Sequence, residues 1–231
     1  MKLPLLLSVP HAGLRVPPEV VEYCILTEEQ IAEDGDEGAA EIYDLKEEVA
    51  ALLTTDVARA VVDMNRAEND RRADGVVKTH TCWDVPVYGG FPSEDVVKLL
   101  IARYHRPYHT RLSELARSEV RLGVDCHTMA AKGPPVGPDP GIERPWVCLS
   151  NADKTCKPEW IESLASCFER AFQHNISINV PFRGGYIIQS HAAEMPWVQL
   201  ELSRAAFMTN REKRSCVLTA LRTWSDGFLP R

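Results

Sequence analysis

The sequence predicts an α/β protein with a largely parallel, helix-covered sheet. Apolar strand-like runs alternate with segments of helical periodicity along nearly the whole chain, the pattern of strands joined by crossover helices. Several of those runs end in polar clusters, as strands do when they deliver loops to one edge of an open sheet. No repeat, low-complexity tract or linker divides the 231 residues, so one domain spanning 1–231 is expected.

Residues 3–9 are apolar and stop at a Pro-His-Ala-Gly turn, which reads as a buried strand. Thr27, followed by Glu28, Glu29 and Gln30, forms a capping-box pattern that opens a short helix. Residues 38–53 place Ala39, Ile42, Leu45, Val49, Leu52 and Leu53 at helical spacing, and residues 57–63 read as a second strand. An irregular, charged excursion covers 69–92. Ser93 then caps a long amphipathic helix to about Ser118, disturbed at Pro107. A short strand, 122–125, leads into Cys126 and His127, and a Pro/Gly loop fills 133–145. Strands are expected at 146–149, 176–180 and 197–202, with helices at 158–173 and 211–224.

Composition narrows the function. Hydrophobic residues make up 45% and charged residues 26%, which excludes a disordered chain. A net charge of −7 favours solubility and argues against nucleic acid or an anionic membrane as the main partner. The opening MKLPLLLSVPHAG is too short for a span of roughly 20 apolar residues and lacks the build of a signal peptide. Seven cysteines, odd in number and without CxxC spacing, fit reduced thiols in a cytoplasmic protein.

The polar groups after the strands are His11, the Asp63–Arg66 cluster, the Asp125–His127 cluster and Glu201. Four segments thus aim titratable groups at one region. Two imidazoles and a carboxylate are the usual protein ligands of a catalytic zinc, which activates water in its open position. His11, His127 and one of Asp34 or Asp36 supply that set. The acidic pair has a plain alternative as favourable charge at a helix N-terminus. His105 and His109 stand four apart on a helix but lack the Glu of HExxH, so they are not read as the metal site. Cys126 points to the strand face opposite His127 and cannot pair with it as a nucleophile.

The segments SVPHAG (8–13), DGDEGAAEIY (34–43), VVDMNR (61–66), YHRPYHTRL (104–112), DCHTM (125–129), RPWVCLSNADKTC (144–156), PFRGGYI (181–187) and VQLELSR (198–204) resemble, in that order, the N-formylglutamate amidohydrolase family. The resemblance covers nearly the whole chain and implies a single-domain three-layer α/β/α sandwich related to the zinc carboxypeptidases, with one zinc per chain. It implies His11, Asp36 and His127 as ligands, with Asp36 replacing the carboxylate that relatives often take from HxxE, because Leu14 stands there. It gives Glu201 the role of general base and Asn65 and Arg66 that of substrate binding, Arg66 also acting on the developing charge. Arg183, Gly185, Tyr186 and His109 complete the implied substrate-binding set, packing being the plain alternative for His109.

Two departures stand out: Ile188 and Gln189 follow GGYI where the family commonly has Thr-Arg, and LSNA (149–152) replaces LGDR. The expected activity is zinc-dependent cleavage of the N-acyl amide of a small acidic amino acid such as N-formyl-L-glutamate. A zinc hydrolase acting on another N-acyl amino acid or small peptide is the first alternative. A catalytically idle small-molecule-binding protein is the second.

Overall fold

The computed structural model describes residues 2–228. Strands β1 (Leu3–Val9), β2 (Val49–Thr54), β3 (Leu122–Met129), β4 (Val147–Ser150), β5 (Ser177–Ile178) and β6 (Trp197–Ser203) form a 6-stranded sheet in the order β2-β1-β3-β6-β4-β5. All neighbours pair in parallel except β4 and β6, which run antiparallel. The sheet is therefore mixed and largely parallel, as the sequence leads one to expect.

Alternation along the strands sorts the chain into three layers. Leu5, Leu7 and Val9 of β1 join Val124, Cys126, Leu200 and Leu202 in a core beneath α2 (Ala39–Ile42), α5 (Pro158–Phe172) and α7 (Asn210–Phe228). On the opposite face, Leu6 and Trp197 pack against α3 (Glu94–Leu100), α4 (Arg106–Leu115) and α6 (Tyr186–Ser190). The helix α1 (Glu28–Asp34) starts at a complete capping box: the Thr27 hydroxyl accepts from the Gln30 amide, and the Gln30 side chain accepts from the Thr27 amide. Ser93 caps α3 through its hydroxyl alone, which accepts from the Val96 amide.

Between α3 and α4 lies a π-helical turn, Ile101–His105, in which the Arg106 amide reaches back to the Ile101 carbonyl. Pro107 follows directly and has no N–H to continue the α ladder. The disturbance expected at the proline is thus a widened turn, and the helical run closes at Leu115.

Two stretches differ from expectation. Only Ala39–Ile42 of the 38–53 segment is helical, and Val49–Thr54 is the edge strand β2, with Leu7 opposite Leu52 and Val9 opposite Thr54. An edge strand with one face partly exposed shows apolar positions that mimic helical spacing. Residues 57–63 are buried turns: Val61 and Val62 amides bond the Ala58 carbonyl, and only isolated bridges join Val57 and Ala58 to Arg15 and Gly13. A continuous apolar run signals burial without fixing strand geometry. The 176–180 strand shrinks to Ser177–Ile178.

Gly123 lies in register with Trp197, and a Cβ there would stand 2.3 Å from the buried indole. Gly123→Ala should therefore destabilise the protein by about 1–3 kcal/mol through overpacking, read as a lower denaturant midpoint at constant slope. No described helix is long and apolar enough to cross a membrane.

Candidate metal centre

His11 follows β1, Asp36 follows α1, and His127 lies within β3, which runs four residues beyond the Asp125 end expected from sequence. Period-two alternation puts Asp125 and His127 on one face and sends Cys126 into the apolar core opposite. Three side-chain atoms converge. His127 Nδ1 is 3.2 Å from His11 Nδ1 and 2.9 Å from Asp36 Oδ2, and His11 Nδ1 is 3.5 Å from that same oxygen. All three residues are buried, and their ligand atoms lie within 4.8 Å of one another.

The remaining ring nitrogens point outward. His11 Nε2 donates to Asp63 Oδ1 at 2.8 Å, and His127 Nε2 donates to Asp125 Oδ2 at 2.7 Å. A carboxylate can only accept, so each Nε2 carries hydrogen and each Nδ1 offers its lone pair inward. Histidines that bind metals are oriented this way by an outer carboxylate. Two inward lone pairs and a carboxylate oxygen repel one another unless positive charge lies among them. A proton on the His127 ring is one way to supply that charge. Burial pushes the Asp36 carboxyl up, but His11 and then His127 overcome it and hold the group below its usual range. Burial disfavours charge on His127, yet Asp125 and Asp36 hold its ring well above the ordinary imidazole value. The donor set fits a cation.

Asp34 is committed elsewhere: it accepts from Lys78 Nζ at 2.8 Å and from the Cys82 amide at 2.8 Å. Asp36 is the carboxylate that meets the histidines. Behind the cluster, Asp125 Oδ1 accepts from Ser8 Oγ, which lies 3.0 Å from the Tyr108 hydroxyl. Asp63 accepts from Arg59 and from the Asn65 amide.

A cavity of about 260 Å³ opens on the cluster and is lined by His11, Asp36, His127, Glu201, Asn65, Arg66, Arg183 and Gly185. Glu201 sits opposite His127 in the β3–β6 ladder, so the two side chains share a face. Gln199, two residues earlier, donates to Glu201 Oε1 at 2.8 Å and accepts from the Gly185 amide. Burial raises the Glu201 carboxyl to about 7, partly offset by His127. Asn65 Nδ2 lies 3.2 Å from both Asp125 Oδ2 and His127 Nε2, and its Oδ1 accepts from the Ile187 amide. A Cβ on Gly185 would stand 2.3 Å from the Asn65 amide nitrogen, so glycine is needed for this approach. Arg66 binds the Asp74 carbonyl and carboxylate, and Arg183 pairs with Asp153 at the exposed rim.

Two candidates lie outside the cavity lining. His109 Nε2 donates to the Met64 carbonyl and His105 Nε2 to the Arg66 carbonyl, so this pair grips the Asn65 turn from behind. Burial lowers His109 to about 3, which keeps it neutral. The Tyr186 ring packs 5.2 Å from that of His109. Gln189 is also outside the lining; it is exposed and bonds the Gly184 carbonyl. Conversely, the sequence reading did not single out Arg59 or Gln199. Arg59 lines the cavity with Nη1 3.5 Å from Asp36 Oδ1 and Nε 3.1 Å from Asp63. A lone arginine in the buried run 57–62 was the available signal, because an unpaired charge there would be costly.

The N-formylglutamate amidohydrolase family model matches residues 3–208. An N-formylglutamate deformylase of Pseudomonas aeruginosa is 28% identical over 227 residues, covering 90% of this chain and 83% of that protein. One from Pseudomonas putida is 27% identical over 227 residues, covering 91% and 84%. The crystal structure of an N-formylglutamate amidohydrolase from Ralstonia eutropha superposes with a TM-score of 0.79 at 20% identity, covering 97% of this chain and 94% of that one. That likeness shows the same fold. With a family match that spans the sheet and every residue converging on the cavity's floor, the chain belongs to the N-formylglutamate amidohydrolase family.

Proposed function

We propose that the protein is a zinc-dependent amidohydrolase that removes the formyl group from N-formyl-L-glutamate or a closely similar acidic N-acyl amino acid. The observation that carries this is the inward convergence of His11 Nδ1, His127 Nδ1 and Asp36 Oδ2 beside the buried Glu201. The names of the similar Pseudomonas proteins support the substrate. The 231 residues are read as one unit, because α7, wholly beyond the matched range, packs on α5 and β1.

His11, Asp36 and His127 would hold the ion, Asp63 and Asp125 fixing the two rings. Zinc bound there would polarise the acyl carbonyl and make water acidic enough to ionise near neutral pH. Glu201 accepts a proton from the attacking water, and Gln199 holds its carboxylate in place. As the C–N bond breaks, Glu201 returns that proton to the departing amine, leaving formate and a free amino acid. Arg66, beside Asn65 and hence beside His127, is assigned to the α-carboxylate next to the scissile amide. Two of its five N–H groups remain free after the contacts to Asp74 and the Asn65 carbonyl. Gly185 lets Asn65 lie against the backbone at the cavity wall, and Arg183 supplies positive charge at the rim.

The test is formate release. Protein stripped with a chelator should lose hydrolysis of N-formyl-L-glutamate and recover it with about one equivalent of zinc per chain. Absence of hydrolysis across a panel of N-formyl and other N-acyl amino acids by the zinc-loaded protein, read as release of the free amino acid, would reject the reading.

A further inference from the structure

Six basic side chains line the cavity: Arg59, Arg66, Lys78, Arg144, Arg183 and Arg204. Five already have a carboxylate. Arg59 pairs with Asp63 and Asp36, Lys78 with Asp34, and Arg66 with Asp74. Arg144 is held by Asp139 and Arg183 by Asp153. Arg204 has no carboxylate partner among the described residues. Among the described residues its side chain makes two long hydrogen bonds, both from Nη1, to the Glu33 carbonyl at 3.4 Å and the Gly35 carbonyl at 3.3 Å.

Those two bonds fix the guanidinium beside the segment that carries Asp36, and the Arg204 amide is pinned to the Met129 carbonyl at 2.8 Å. The residue is thus anchored at the end of the β3–β6 ladder, three positions beyond Glu201. Nε and Nη2 have no partner among the described residues. They form the side of the fork that matches a carboxylate with two parallel hydrogen bonds. A cation placed at a cavity wall with its fork unused is arranged to receive an anion from outside the chain.

We propose that Arg204 recognises the side-chain carboxylate of an N-acyl dicarboxylic amino acid, and so sets the preference for an acidic substrate. This deepens the function proposed above and rests on it. An N-formylglutamate dianion brings two carboxylates; Arg66 takes the one beside the scissile amide, and Arg204 takes the distal one. Gln189 is not needed for this recognition.

The experiment compares kcat/KM for N-formyl-L-glutamate and N-formyl-L-glutamine, which differ by one charge at equal size, in the zinc-loaded full chain. The wild type should prefer the glutamate compound. Arg204→Gln should reduce that preference by about tenfold or more, the scale of one lost charged hydrogen-bond pair, mainly through a higher KM for the glutamate compound. Metal content should match the wild type. Arg204→Lys keeps the charge without the fork and should give an intermediate preference, which covers the case in which the Gln variant folds poorly. A preference unaltered in both variants, or equal slowing on both substrates, overturns the assignment while the hydrolase reading stands. If the wild type releases formate from neither compound, the proposed function fails first, and the role of Arg204 falls with it.

Discussion

Glu201→Gln should keep the metal and lower turnover of N-formyl-L-glutamate by about a hundredfold or more, the scale of a lost general base. The substitution preserves size and can still bond Gln199, so the fold should be retained. What disappears is the group proposed to move the proton. The wild-type pH profile should carry the same signature. Burial raises the Glu201 carboxyl to about 7, and a base must be ionised to accept a proton. kcat/KM should therefore fall as pH drops through the ionisation of this group, on an acidic limb. Bound zinc, being positive, would shift that limb to lower pH. The residual activity of Glu201→Gln should lack the limb. A variant with near-normal turnover and an unchanged profile would remove Glu201 from the mechanism.

The second large effect concerns the ion itself. His11→Ala and His127→Ala should each abolish stoichiometric zinc, measured by elemental analysis after dialysis, and turnover with it. Removing one ligand of three leaves two donors and deprives a buried outer carboxylate, Asp63 or Asp125, of one of its hydrogen-bond donors. Asp36→Asn should behave likewise. Asp34→Asn is the control, because Asp34 is bonded to Lys78 and the Cys82 amide and should be dispensable for zinc. Zinc lost from Asp34→Asn and kept in Asp36→Asn would exchange their roles.

The expected strands and helices lie where side-chain period and burial coincide. β1, β3 and β6 are apolar on both faces or alternate cleanly, and α5 and α7 carry a full apolar stripe. Thr27 and Ser93 mark helix starts because a side-chain oxygen satisfies an amide left open there. The 38–63 region misleads because edge-strand exposure imitates helical spacing and buried turns imitate a strand. Within the site, His11, Asp36, His127 and Glu201 meet because each stands at or near the carboxyl edge of the sheet. Arg59 and Gln199 were hidden by sequence distance: their roles follow from pairing with Asp36, Asp63 and Glu201, which a linear reading does not display. His109 was misplaced for the opposite reason. Its spacing from His105 shows that the two rings share a helix face but not whether that face meets the cavity or the back of a turn.

The π-helical turn Ile101–His105 makes the spacing of this helical run hard to alter by insertion or deletion. Each residue of an α-helix advances about 100° around the axis. Removing one residue from the widened turn would restore an ordinary ladder, yet rotate α3 by roughly that angle relative to α4. Val97 and Leu100 would swing out of the core they share with Leu112, or else His105 and His109 would leave the Met64 and Arg66 carbonyls. One side of the run is set by apolar packing and the other by the turn that presents Asn65 to His127. The extra residue reconciles the two phases, and chain length in this stretch is constrained more tightly than the identity of its exposed side chains.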